Sequence, residues 1–174
     1  MGEARVTVRL GSGDMNHLLS TLGGIDLRYG GGRFTLRHQV AKITVMANLY
    51  PEVSGGRLRF VVPFSELRSD RGTGPLVRGA LSMAWNWIET KLESVLAQQL
   101  SARGLPWDLV WVDGHRDPSG KSATVNISLA VLNQWLAGKS GAVGLPTRLA
   151  AVVVEPEALE LQLSLVPAVA QVTW

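Results

Sequence analysis

Residues 114–122, Gly-His-Arg-Asp-Pro-Ser-Gly-Lys-Ser, carry the letters of a phosphate-binding loop, two glycines followed by Lys121 and Ser122. Such a loop works because successive backbone amides and a following helix N-terminus cradle phosphate oxygens. Here the interval between Gly114 and Gly120 is one residue too long, and residues 123–127 alternate as a strand, so the helix is missing. His17, His38 and His115 stand far apart without carboxylates at ligand spacing, and the chain has no cysteine to complete a metal site, a disulfide or a thiolate nucleophile. Asp108, Asp113 and Asp117 lack the spacing of a calcium loop and suit a polar hairpin. Glu89 and Glu93, one helical turn apart, have the separation for shared acid–base work, but the same pattern describes a solvated helix face with Arg or Lys neighbours, which is the reading adopted. The Gly-x-Ser-x-Gly nucleophile elbow is absent. No catalytic residue, metal or cofactor is therefore expected, and the chain reads as a non-enzymatic protein.

The elements that would position a binding site are legible. Residues 6–10 alternate apolar and polar as a strand, and Ser12, Gly13 and Asp14 supply cap chemistry for a helix over Met15, Leu18, Leu19 and Leu22. Alternation resumes at Ile25, Leu27 and Tyr29, turns at residues 30–32, and continues through Phe34, Leu36 and His38. Strands over 40–49 and 58–62 follow, joined at residues 54–56, and these short connections demand antiparallel pairing. At residues 72–75 the character changes, with Thr73 as cap and Pro75 in the first turn of one long helix over 76–102. Val77, Leu81, Ala84, Trp85, Ile88, Leu92, Val95, Leu96 and Leu100 form its apolar stripe, and Met83 and Trp87 make its first turns apolar nearly all round. Such turns must be covered by the sheet, a ligand or a partner. A strand at 109–113, a polar loop over 113–120, a strand at 123–127, a helix at 129–137 and strands at 149–154 and 159–165 complete the pattern, followed by an apolar tail over 167–174.

Length and charge narrow the class. With 174 residues, 46% of them apolar, the chain suits a single domain over 1–174 with a substantial core, and no apolar run reaches the ~18 residues of a membrane span. The N-terminus lacks the basic start and apolar stretch of a secretory signal, so the chain reads as cytoplasmic or as a mature exported domain without its leader. Net charge is 17 − 14 = +3, with +5 over residues 1–78 and −2 over 79–174. Its arginines are spread along alternating strands instead of forming the dense stripe of a nucleic-acid binder, and no nucleic-acid partner is expected.

Residues 6–19 align with 123–136, with Thr7/Thr124, Val8/Val125, Asn16/Asn133 and Leu19/Leu136 identical, as if a strand–helix–strand unit occurred twice. The second copy contains Leu132-Asn133-Gln134-Trp135-Leu136, with residues 15–19 as its looser echo. On this element, and on the order of a long amphipathic helix followed by two strands, the chain resembles bacterial members of the tubular lipid-binding superfamily, which includes bactericidal/permeability-increasing-like and synaptotagmin-like mitochondrial-lipid-binding domains. The resemblance implies a curved antiparallel sheet wrapped around a long helix, enclosing an apolar groove for acyl chains. The chain is short for that superfamily. Six tryptophans among eleven aromatic residues either fill the core, each indole N–H finding an acceptor, or line a groove or interface.

The expected fold is thus α+β: a curved, mostly antiparallel sheet around one long helix, with short helices at its ends and the internal repeat. The expected function is binding of a lipid or other apolar ligand between the long helix and the sheet, through Leu81, Trp85, Ile88, Leu92, Val95 and Trp135. The alternative is an assembly protein that buries the apolar helix start and residues 169–174 against a second copy or another chain.

Overall fold

The computed structural model describes residues 4–140 and 147–165. Strand β1 (Ala4–Gly11) runs directly into α1 (Ser12–Ser20), and β2 (Asp26–Gly30), β3 (Arg33–Val40), β4 (Ile43–Ser54) and β5 (Arg57–Pro63) follow as a meander. After a 3-10 turn and the two-residue β6 (Arg68–Ser69) come α2 (Pro75–Thr90) and α3 (Leu92–Ser101). The hairpin of β7 (Val110–Asp117) and β8 (Gly120–Ser128), then α4 (Leu129–Ser140), β9 (Thr147–Glu155) and β10 (Ala158–Leu165) complete the described chain. Gly31 and Gly32 (φ 61° and 73°) and Gly55 and Gly56 (φ 57° and 71°) place both central residues of two hairpin turns in the left-handed region, where a missing Cβ removes the steric penalty.

The expectation of one sheet wrapped around one long helix is corrected on both counts. The strands divide into two antiparallel sheets, one ordered β1-β10-β9 and the other β2-β3-β4-β5-β8-β7 with β6 paired to β4. The helix over 76–102 is two helices. Lys91 leaves the helical region (φ −123°, ψ −30°), and Thr90 Oγ1 donates to the Asn86 carbonyl at 2.7 Å, a back-bond of the kind that bends helices. Lys91 N still donates to Trp87 O and Val95 N to Lys91 O. The three-and-four spacing of apolar residues therefore runs through the break and hides it. Sheet division has a simple cause as well. Because α1 begins at the residue immediately after β1, the chain is carried away before β2, and β1 pairs instead with β10 at the far end of the sequence.

Smaller expectations also shift. Gly74, not Thr73, is the cap residue of α2, and α1 has no side-chain cap because its cap position is Gly11; Ser12 is the first helical residue, and its hydroxyl donates to Glu157 Oε2 at 3.2 Å. The polar stretch over 113–120 is mostly strand, with β7 paired to β8 as far as Asp117 opposite Gly120. The apolar tail over 167–174 lies outside the described residues.

The two aligned segments lie in β1-α1 and β8-α4, and each is followed by a further strand, β2 and β9. Their shared asparagines act alike: Asn16 Oδ1 accepts from Tyr29 N at 2.6 Å and Asn133 Oδ1 from Leu149 N at 2.7 Å, each tying its helix to the next strand. In the core, α2 and α3 lay Ala80, Ala84, Trp85, Ile88 and Leu92 against Phe34, Leu36, Val45, Ala47, Val62 and Val125 of the larger sheet. Tyr29 joins the two sheets. Its hydroxyl lies 2.6 Å from Glu155 O and 2.9 Å from Ala158 O, at the turn between β9 and β10.

Candidate functional site

Alternation along β2, β3, β4, β5, β7 and β8 turns Leu27, Phe34, Leu36, Leu49, Phe60, Val110, Val125 and Ile127 toward the helices, while α3 presents Leu92, Leu96 and Leu100. Between them lies a cavity of about 190 Å3, bounded also by Leu19 of α1 and by Ile25, with no polar surface facing it. An apolar space with no hydrogen-bonding partners stays dry. Leu19, Ile25 and Leu27 are also a wall of an outer cleft of about 450 Å3, whose other linings are polar: Asn16, Ser20, Asp26 and Arg28. At that cleft Asp26 sits between two guanidinium groups, 3.6 Å from Arg28 Nε and 3.9 Å from Arg37 Nε.

Of the six residues expected to bind ligand, Leu92 lines the cavity. Trp85 and Ile88, each 2% exposed, are packed in the core on α2, and Leu81 and Val95 pack against that core, off the cavity wall. Trp85 meets Phe64 edge to face at 5.2 Å, and its Nε1–H is buried without a hydrogen-bond partner, contrary to the expectation that each indole finds an acceptor. Trp135 is on α4, where its Nε1–H donates to Gly104 O at 2.9 Å and ties that helix to the loop after α3. The break at Lys91 separates these residues: Leu81, Trp85 and Ile88 are on α2, no residue of which lines the cavity, while Leu92 and Val95 are on α3. Strand alternation marks Leu27, Phe34 and Leu36 as inward-facing, but nothing in a single sequence distinguishes a filled interior from a hollow one.

The other tryptophans divide by environment. Trp87 stacks on His38 with ring centres 4.3 Å apart, and burial holds the His38 imidazole below its usual pKa. Trp111 lies beneath the Arg57 guanidinium and donates to Asp113, whereas Trp107 is exposed. Trp174 lies outside the described residues.

Three of the carboxylates considered for chemistry, Asp113, Asp117 and Glu93, have structural partners. Asp113 Oδ2 accepts from Trp111 Nε1 and from Asn126 Nδ2, and Asp117 accepts from the hydroxyl and amide of Ser119, which hold its carboxyl below the ordinary range. Glu93 Oε2 accepts from Val112 N at 2.8 Å, so it satisfies the backbone of the edge strand β7. The expected cationic partner of Glu89 is not found among the described residues. Nor do those residues contain a group of three or more metal-ligating side chains, or a helix long and apolar enough to cross a membrane.

No protein-family model, curated protein or solved structure matches the chain. The reading of the site therefore stands on its geometry.

Proposed function

We propose that the protein is a non-enzymatic binder of an apolar chain, held in the cavity between α3 and the larger sheet. The single observation that carries this reading is the wholly apolar lining of that cavity. An apolar space of about 190 Å3 left unfilled forfeits packing contacts around its whole lining, so stability alone gives no reason to keep it. Its volume suits one short acyl chain or a small ring and is below the roughly 300 Å3 at which sites for drug-sized ligands begin. The adjoining polar cleft, with Ser20, Asp26 and Arg28, supports an amphiphile whose head remains outside while its tail lies within.

The test uses delipidated protein and the fluorescent apolar probe N-phenyl-1-naphthylamine. Wild-type protein takes up the probe, and Leu96→Phe, which adds a ring inside the cavity, weakens uptake by about tenfold while the thermal midpoint holds or rises. Organic extraction and native mass spectrometry of protein before delipidation should recover an acyl-chain compound. Absence of probe uptake, or uptake indifferent to the filled cavity, overturns the proposal.

A further inference from the structure

The first turns of α2 are apolar on nearly every side, and the fold leaves one of those sides uncovered. Leu76 is 83% exposed and Met83 63% exposed, an i and i+7 pair on one face of the helix. Between them Gly79 and Ala80 form a low floor, and opposite stands the β3–β4 turn with Val40 and Ile43. Together these make an open, mostly apolar groove of about 910 Å3, separate from the cavity against α3.

Its charge is one-sided. Lys42 and Arg71 line the groove, no carboxylate does, and neither cation takes part in an ion pair among the described residues. The nearby Asp70 carboxylate is engaged by the Thr44 amide at 2.9 Å. The α2 N-terminus, with no side-chain cap and no acid in its first turn, adds partial positive charge on the same side. A second copy docking here about a two-fold axis would bring the same cations face to face. The complementary occupant is apolar in depth and anionic at its rim.

We propose that this groove docks the protein on an anionic lipid surface, with Leu76 and Met83 inserted among acyl chains and Lys42 and Arg71 on lipid phosphates. Exposed bulky apolar groups beside cations are the arrangement by which a surface helix holds a charged membrane interface, the apolar groups supplying depth and the cations selectivity. Nothing here depends on what the interior cavity holds, because the two sites share no residue.

The 174-residue protein is sedimented with phosphatidylcholine vesicles, with and without about 30% phosphatidylglycerol. The expected result is binding to the anionic vesicles alone, reduced about tenfold by Leu76→Ser with Met83→Ser, by Lys42→Glu with Arg71→Glu, and by about 0.5 M salt. All four side chains are outside the buried core, so both double variants should melt with the wild type and keep N-phenyl-1-naphthylamine uptake. That control separates a failure at the groove from a failure of the cavity reading. Equal binding to neutral vesicles, no binding, or binding unaffected by both variants overturns the proposal. So does self-association in light scattering that Leu76→Ser with Met83→Ser abolishes, since the face would then belong to a second copy.

Discussion

His38 lies face to face with Trp87, and burial holds its imidazole below the ordinary histidine range. A base whose folded pKa is depressed adds stability that is complete above its unfolded value, about 6.5, and is lost as pH falls through the lower folded value. Between those values the unfolded chain holds the extra proton, so acidification favours unfolding. The urea midpoint should therefore fall more steeply between about pH 7 and about pH 5 in wild-type protein than in His38→Phe, which keeps an aromatic stack without a titrating nitrogen. Identical slopes would show that His38 contributes nothing to the acid sensitivity. Other polar residues show how far spacing can be read. The separation of the three histidines and the turn role of Asp117 follow from sequence, because both depend on near neighbours. The bond from Val112 N to Glu93 does not, since it spans nineteen positions and exists only where α3 crosses the edge of β7.

Among hairpin turns, the one between β3 and β4 is made differently from its glycine-built neighbours. Ala41 has φ 53° and is the only non-glycine residue with positive φ among the described residues. A Cβ in that conformation costs about 1–2 kcal/mol, against which glycine adds up to about 1 kcal/mol of unfolded-chain entropy. Ala41→Gly should therefore raise unfolding free energy by about 0.5 kcal/mol, measured by urea titration at constant m-value. A decrease would mean that chain entropy outweighs relief of strain. Glycine pairs make the two neighbouring hairpins, β2–β3 and β4–β5, legible, while an alanine in the left-handed region leaves no signal beyond strand alternation on either side. The helix break at Lys91 is hidden for the opposite reason: periodicity reports which side of a helix is buried, and both pieces bury nearly the same side.

At the scale of the molecule, two sheets meet where Tyr29 binds the carbonyls of Glu155 and Ala158, reinforced by Gly32 N, in the β2–β3 turn, donating to Pro156 O at 3.2 Å. Tyr29→Phe keeps the ring and deletes the buried hydroxyl, at a cost of about 1–2 kcal/mol. Hydrogen exchange should become faster in β9 and β10 than in β4 or β8, because the lost contact fastens the small sheet to the large one. Uniform acceleration would instead mean that the two sheets open as one unit. Local alternation and turn residues were enough to place most strands, to pair adjacent hairpins and to mark the apolar side of α2 and α3. Pairing of β1 with β10, division into two sheets, the hollow beside Leu92 and the uncovered face at Leu76 and Met83 were decided only by tertiary structure. Each depends on which distant surfaces meet and how much space they leave, whereas periodicity records only the direction in which a side chain leaves its own backbone.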